Sequence, residues 1–497
     1  MFNACDAQPR STIGRSLQAF RNRSFLIFWG GACISNIGNW TENAAQSWAV
    51  TSQTIGNPHQ GFLVEILQFA DFCPVLLLAL IAGVISDRVN RKTWLITLQA
   101  LAWALGGGLA IAAYLGRATP GVVIAFTFLE GIIWALNGPV FLSVVPSLVP
   151  RGELGPALAL NSIQFNMARL CGPMLAAVLI GALGITGAFA FNACTFLPLL
   201  VCLLVAIPNI PAPSRSKATT IRQDIREGLK FVWTSPGTRR LTIMSVIFMF
   251  LAAPLQGLLP VFAQSVLKGG PMLFGLMLSA TGLGSILGAF LLSWIPSYYP
   301  RHHIIPLAMC VFAVIGLLFS LSTKPVLSLI ILVAVGACWL LSLNPSNTAN
   351  QLLATDANRG RVLSIMLLAQ QGGMPLGHLF AGFLTHYMSP SWVLRLMLGI
   401  LLVVMAVFVF IREPAIDNMP RRHLKKLTFW GTIFEAITAY SHHPDYPSEI
   451  AVTSLARNGD NYDRHNQQTT PLDPKTNCPS GHARKRTGSG FFVSDSS

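Results

Sequence analysis

Gly83-Val84-Ile85-Ser86-Asp87-Arg88-Val89-Asn90-Arg91-Lys92 crowds four charges into its last six residues, and it lies between two long apolar runs, 62–86 and 93–116. At about 1.5 Å per helical residue, each run is long enough to cross a hydrocarbon core of about 30 Å. The pattern of a long apolar run followed by a short charged or Gly/Pro-rich gap recurs outward in both directions. It gives twelve expected spans: 25–51, 62–86, 93–116, 120–146, 155–182, 185–207, 241–267, 271–295, 303–322, 326–349, 361–386 and 391–411. Lipid offers no hydrogen bonds to the backbone, so each span is expected to be helical. Hydrophobic residues make up 53% of the chain and charged residues 11%, too few charges to cover a soluble domain of this length. The expected fold is an all-α polytopic membrane protein with its twelve helices in two pseudo-symmetric six-helix bundles.

The net charge of +15 has an orderly placement. Odd-numbered gaps carry only Arg117, Lys268 and Lys324, while Arg169 and Arg395 lie within spans. The other 29 of the 34 basic residues fall in even-numbered gaps, the central linker and the tails. The positive-inside rule then places both termini in the cytoplasm, with the protein in a bacterial inner membrane. The basic residues are orientation anchors, so no nucleic-acid partner is expected. Of nine cysteines, seven (Cys33, Cys73, Cys171, Cys194, Cys202, Cys310, Cys338) lie in apolar runs, and no CxxC occurs. They read as small buried hydrophobes, and neither a disulfide framework nor a metal site is expected.

The expected organisation is a cytoplasmic segment 1–24, a bundle 25–207, a cytoplasmic linker 208–240, a second bundle 241–411 and a cytoplasmic tail 412–497. Within the tail, 421–440 reads as an amphipathic membrane-surface helix followed by disorder, because Phe429, Trp430 and Phe434 accompany Arg421, Arg422, Lys425 and Lys426. Echoes between the halves suggest duplication. Asn137-Gly138-Pro139 matches Asn344-Pro345, Gly172-Pro173 matches Gly373-Met374-Pro375, and Gly83 matches Gly288, at offsets of about 202–206 residues.

The opening stretch, Gly83, Asp87, Arg88, Arg91 and Lys92, resembles the G-x-x-x-D-R-x-x-R-K loop of the major facilitator superfamily, at the topological position where that family carries it. The resemblance implies a cytoplasmic latch that closes the outward-facing state, with the aspartate near the N-terminus of helix 11. The second half departs from the pattern, with Leu292 in place of the acid. Gly172-Pro173-Met174-Leu175-Ala176-Ala177 in helix 5 is similar to the antiporter signature of drug exporters, with alanine replacing four glycines, and so favours export over uptake; plain close packing is the other reading. Phe20–Trp29, Ser35–Trp40 and Ala45–Trp48 resemble the branch containing the enterobactin exporter and the transmembrane secretion effectors.

Ionisable groups inside a membrane face a cavity or one another. Asp71, Glu130 and Arg169 sit about 13–21 Å from a surface at about 1.5 Å per residue, near the midplane. Asp71 or Glu130 is the candidate proton-binding carboxylate, with Arg169 holding its charge; the alternative is a static ion pair. Glu65 and Arg395, within about five residues of the other face, read as snorkelling to the interface. Ser35, Asn39, Glu42, Asn43 and Gln46 fall on one face of helix 1. The resemblance implies that helices 1, 4, 7 and 10 line a central cavity. Trp134 and Asn137 on helix 4, Gln256 on helix 7, Trp339 and Asn344 on helix 10, and Gln371 and His378 on helix 11 complete the candidate lining. His378 is either a proton site or a hydrogen-bonded packing residue.

The expected function is secondary active transport, proton-coupled export of a siderophore-like or drug-like amphiphile by alternating access. An importer or facilitator of a small metabolite and a non-transporting sensor are the rivals. The expected partners are a small-molecule substrate, protons and the bilayer, with the chain monomeric. No cofactor, metal or nucleotide is expected, and no enzymatic activity: neither G-x-x-x-x-G-K-[ST] nor H-E-x-x-H occurs.

Overall fold

Prolines set the starts of many of the helices. Pro120, Pro236, Pro271, Pro325 and Pro390 each open a long helix at its first position, where the missing N–H has no intrahelical partner to lose. The computed structural model describes residues 17–86, 89–205, 221–294, 301–354 and 359–411, and these residues form helices joined by short connections. Asp87 and Arg88 of the latch loop, the start of the linker and the tail with its expected helix at 421–440 lie outside them.

The first bundle is α1 (Arg23–Gln53), α2 (Gln60–Ser86), α3 (Arg91–Tyr114), α4 (Pro120–Leu148) and the pair within Leu154–Val205. That pair divides at Gly184, whose φ of 70° and ψ of −178° belong to a region essentially only glycine occupies, into α5 (154–183) and α6 (185–205). The second bundle is α7 (Pro236–Gly257), α8 (Pro271–Trp294), α9 (Arg301–Leu321), α10 (Pro325–Leu353), α11 (Arg359–Leu384) and α12 (Pro390–Phe410). Beyond Gly257, α7 continues through Leu259–Val261 into a π-helical turn, Phe262–Val266. Nine helical stretches among the described residues are long and apolar enough to span a membrane on composition; one of them holds both α5 and α6, and α1 and α11 are not among them. α1 misses because of its polar stripe. The linker is shorter than expected, since α7 starts at Pro236, and it contains a helix, Ile221–Thr234.

Within the first bundle α1 packs on α5 and α6, α2 on α4, and α3 on α6. In the second, α8 packs on α10, α9 on α12, and α11 on α7. Glycines mark the repeat. A Cβ on Gly172 of α5 would meet Trp40 and Thr41 of α1, and one on Gly373 of α11 would meet Val246 and Met249 of α7. Gly131 of α4 faces Asp71 and Pro74 of α2, as Gly336 of α10 faces Thr281 of α8. Equivalent helix pairs in the two halves therefore approach at equivalent glycines.

Buried polar groups hold the helix ends. Arg240, 6% exposed in the first turn of α7, donates to the carbonyl oxygens of Phe408 and Ile411 at the C-terminus of α12, where carbonyls lack intrahelical partners. Bonds from a charged donor are worth about 1.5–3 kcal/mol each, so Arg240→Met should lower stability by about 3 kcal/mol, read as a lower melting temperature in detergent. All seven cysteines in the spans are free thiols; Cys310 and Cys338 are buried as expected, Cys33, Cys73 and Cys202 are half-buried, and Cys171 and Cys194, against expectation, are exposed on the bundle surface.

Candidate functional site

The stripe on α1 is tied to three different helices. The Glu42 carboxylate accepts from Asn192 Nδ2 of α6. Asn43 Nδ2 donates to Asp71 Oδ2 of α2 at 3.0 Å. Gln46 Nε2 donates to Glu130 Oε2 of α4 at 2.7 Å, and Gln46 Oε1 accepts from the Thr127 hydroxyl at 3.0 Å. An ionised carboxylate only accepts, which favours the amide with its NH2 toward Glu130 and its oxygen toward Thr127. Oε1 of Glu42 and Oε1 of Glu130 are buried with no hydrogen bond. Asn39 is half-buried on the same helix.

Three acids are thus held by neutral amides. Arg169 does not share their network: its guanidinium lies over the ring of Trp40, 5.8 Å from the centroid, and Trp40 meets Phe165 edge-on at 5.8 Å. Similar depth in the membrane brought Arg169 into the expected network. Depth fixes height and not direction around the helix axis, and the α5 backbone turns this side chain toward α1.

Glu65 also departs from its expected place. It is fully buried, and its Oε2 lies 2.6 Å from Nδ1 of His378, itself 1% exposed. Snorkelling is excluded because α11 covers α2 here. Arg395 stays near its helix end, with one nitrogen donating to the Ser320 carbonyl at 3.1 Å and the guanidinium 4.9 Å from the Trp392 ring centroid.

The remaining candidates are less concentrated. Trp134, 49% exposed, stands one turn beyond Glu130. The side-chain oxygen of Asn137 is buried without a hydrogen bond, Gln256 and Gln371 are half-buried, and Asn344 is exposed. Trp339 packs against Phe248 and Phe312, at ring distances of 5.4 and 5.8 Å, in an aromatic cluster. Sequence reasoning missed two more residues. Asn192, the partner of Glu42, sits on a span whose polar content gave no stripe, and Gln60 donates to Gln264 Oε1 at 2.8 Å.

The helix-5 motif sits where three helices meet. The Thr41 hydroxyl donates to the Gly172 carbonyl at 3.2 Å, and Ala176 and Ala177 are buried. A Cβ on Gly275 of α8 would come within 2.6 Å of both the Pro173 carbonyl oxygen and Ala177. Of the latch, Gly83 lies in the last turn of α2, while Arg91 reaches the Ser143 carbonyl and Lys92 the Leu204 carbonyl, each at 3.4 Å. Both cations thereby meet carbonyls near the C-terminal ends of α4 and α6, as a helix dipole favours.

Among the described residues, the hydrogen bonds joining the halves lie toward the end away from the basic loops: Glu65 with His378, Gln60 with Gln264 and Ser265, and Ser279 with the Leu170 carbonyl.

Residues 15–430 match the family described as transmembrane secretion effector. The chain is 25% identical over 370 residues to the staphyloferrin A transporter of Staphylococcus aureus, covering 72% of this chain and 87% of that protein. It is 25% identical over 368 residues to the multidrug efflux pump Tap of Mycolicibacterium fortuitum, covering 72% and 88%. Among solved structures, a bacterial homologue of the human lysosomal transporter Spinster, inward-facing and unoccupied, superposes with a TM-score of 0.63 at 14% identity, covering 81% of this chain and 98% of that one. A D-xylose–proton symporter gives 0.62 at 14%, covering 81% and 100%.

Proposed function

The chain belongs to the transmembrane secretion effector family, and from that premise we propose that it exports an amphiphilic, siderophore-like or drug-like organic molecule across the bacterial inner membrane in exchange for protons. Relatives named as a macrolide efflux protein and a multidrug efflux pump support the direction, and these with one named as a staphyloferrin A transporter support the cargo class. The two bundles rock about the cargo site, with both termini and the basic loops in the cytoplasm.

One observation carries the coupling: Asp71 and Glu130 are hydrogen-bonded inside the membrane to neutral amides, with no cation bonded to either carboxylate among the described residues. Such a carboxylate can gain or lose a proton without an ion pair having to break. Arg169, held by an aromatic face and by no acid, supplies a cation for an acidic group of the cargo. Among the described residues the hydrogen bonds between the halves lie toward the end away from the basic loops, which supports an inward-facing reading of this conformation.

The test uses inside-out vesicles whose lumen is acidified by respiration and read with a trapped dye. Adding a carboxylate siderophore or a lipophilic drug should dissipate the gradient in vesicles carrying the protein and leave it intact in vesicles without it. Passive equilibration of radiolabelled metabolites, with no effect on the gradient, would instead identify a facilitator.

A further inference from the structure

Glu65 and His378 join the halves where they must part. α2 and α11 belong to different bundles, and their shared seam runs inward from His59 and His386, whose rings are 4.6 Å apart at the exposed outer end. Glycines make room for the pair below. A Cβ on Gly257 of α7 would stand 2.7 Å from the Glu65 carboxylate and 3.0 Å from His378 Nδ1, and one on Gly382 of α11 would stand 3.1 Å from Glu65 Cβ. Phe72 stacks on the imidazole at 6.3 Å, and neither His378 Nε2 nor Glu65 Oε1 has a hydrogen-bond partner.

We propose that Glu65 and His378 form a second proton site, distinct from the α1 network, that holds one proton while the external seam is closed and takes a second from outside only when the seam is open. This rests on the reading of the chain as an alternating-access transporter whose sealed end is external.

The argument is a charge count. In contact, the carboxylate and imidazole share one proton between Oε2 and Nδ1, and the pair is neutral overall whichever partner carries it. A second proton would leave a carboxylic acid beside an imidazolium, a net positive charge buried without a counter-ion, which a low-dielectric interior disfavours. With no proton the carboxylate is buried bare. Separation exposes both groups to external water, where acid supplies the second proton to the carboxylate. Re-closure requires that proton to leave. The charged or titratable groups facing the pair are few. Asp71 lies farther in on α2, with Glu130 of α4 beyond it, and His59 and His386 lie outward; α7 contributes Gly257 and Gln264, neither charged. An exterior acid enough to protonate a carboxylate in water, at about pH 4.3, therefore draws the seam open, whereas between about pH 7.5 and 5.5 the parted imidazole only takes up the proton the closed pair already holds.

The experiment places spin labels at His59→Cys and His386→Cys in the full chain, with the native cysteines replaced by serine, in nanodiscs. These substitutions also remove the surface histidine pair, so the buried pair is read alone. Between about pH 5.5 and 3.5, the range in which a carboxylate titrates in water, the short-distance population should fall by several-fold. His378→Gln leaves a lone buried carboxylate, so acid should now close the seam, reversing the sign. Glu65→Gln with His378→Gln should give no pH dependence while keeping the short distance. A merely structural pair would loosen in both variants without reversing the sign, and that result overturns the proposal, as does an unchanged pH response in the double variant. Proton flux in the vesicle assay answers separately. A responsive seam with no flux for any compound would leave the gate standing and remove the exporter reading. Coupled flux with an unresponsive seam would do the opposite.

Discussion

Glu130→Gln should lower substrate-driven proton flux by on the order of 100-fold, the low end of what losing a positioned acid–base group costs, and leave the melting temperature nearly unchanged. Both halves of that expectation come from the same hydrogen bonds. Gln46 presents its NH2 to Oε2 of Glu130 at 2.7 Å. A glutamine at 130 can offer its own amide oxygen to that donor, so the α1–α4 contact survives. What it cannot do is bind and release a proton at Oε1, the buried carboxylate atom without a partner. Asp71→Asn is the matched comparison, because Asn43 can donate to an asparagine oxygen just as it does to Asp71 Oδ2. Flux lost in Glu130→Gln and kept in Asp71→Asn assigns coupling to Glu130, and the converse assigns it to Asp71. Flux kept in both would move proton binding out of this network altogether.

The sequence made height in the membrane legible and left azimuth obscure. Run length and charge spacing located the spans to within a few residues, and the recurrence of Asn39, Glu42, Asn43 and Gln46 identified the polar face of α1 from its period alone. The partners of that face are 28, 84 and 150 residues away, and no local pattern selects Asp71, Glu130 and Asn192 as the side chains that meet it. Arg169 illustrates the limit, since a residue at matching depth faces Trp40 and not the acids. Glu65 illustrates it more sharply. Counting residues from the helix end made it interfacial, yet α11 covers it, and its partner lies 313 residues along the chain. Trp339, placed in the candidate lining with the polar residues of helix 10, is half-buried and packs against Phe248 and Phe312, contacts between α7, α9 and α10 that no local pattern announces.

The duplication was legible because close approach demands small residues at fixed heights. Gly172 and Gly373 were matched by offset before any packing was known, and each meets the first helix of its own half. The sequence did not reveal which glycines seal one half against the other. Gly275 and Gly336 look alike in the chain, yet Gly336 packs inside the second bundle against Thr281, while Gly275 packs across the halves against Pro173 and Ala177.

That difference predicts opposite phenotypes for one substitution. Gly336→Val drives a branched side chain into the backbone of its own bundle and should cost about 3 kcal/mol or more, the upper part of the range for overpacking. The expected result is a poorly folded protein with a clearly lower melting temperature. Gly275→Val meets the Pro173 carbonyl oxygen and Ala177 across the halves, a contact expected to part when the external side opens. Its bundle stays intact, and the valine clashes in one state of the cycle, so the equilibrium shifts toward the externally open state. A rigid clash of about 3 kcal/mol moves a two-state population by roughly 100-fold, since 1.4 kcal/mol is a factor of ten. Transport should fall steeply while the melting temperature of the purified protein changes little, and spin labels across the α5–α8 seam should report the longer distance. The helix-5 motif then matters for a mechanical reason. Pro173 and Ala177 form the surface on which α8 closes, and the glycine opposite them sets how closely the halves can meet. If Gly275→Val instead lowers the melting temperature as much as Gly336→Val does, the α5–α8 contact is a fixed part of the core, and the moving seam must lie elsewhere.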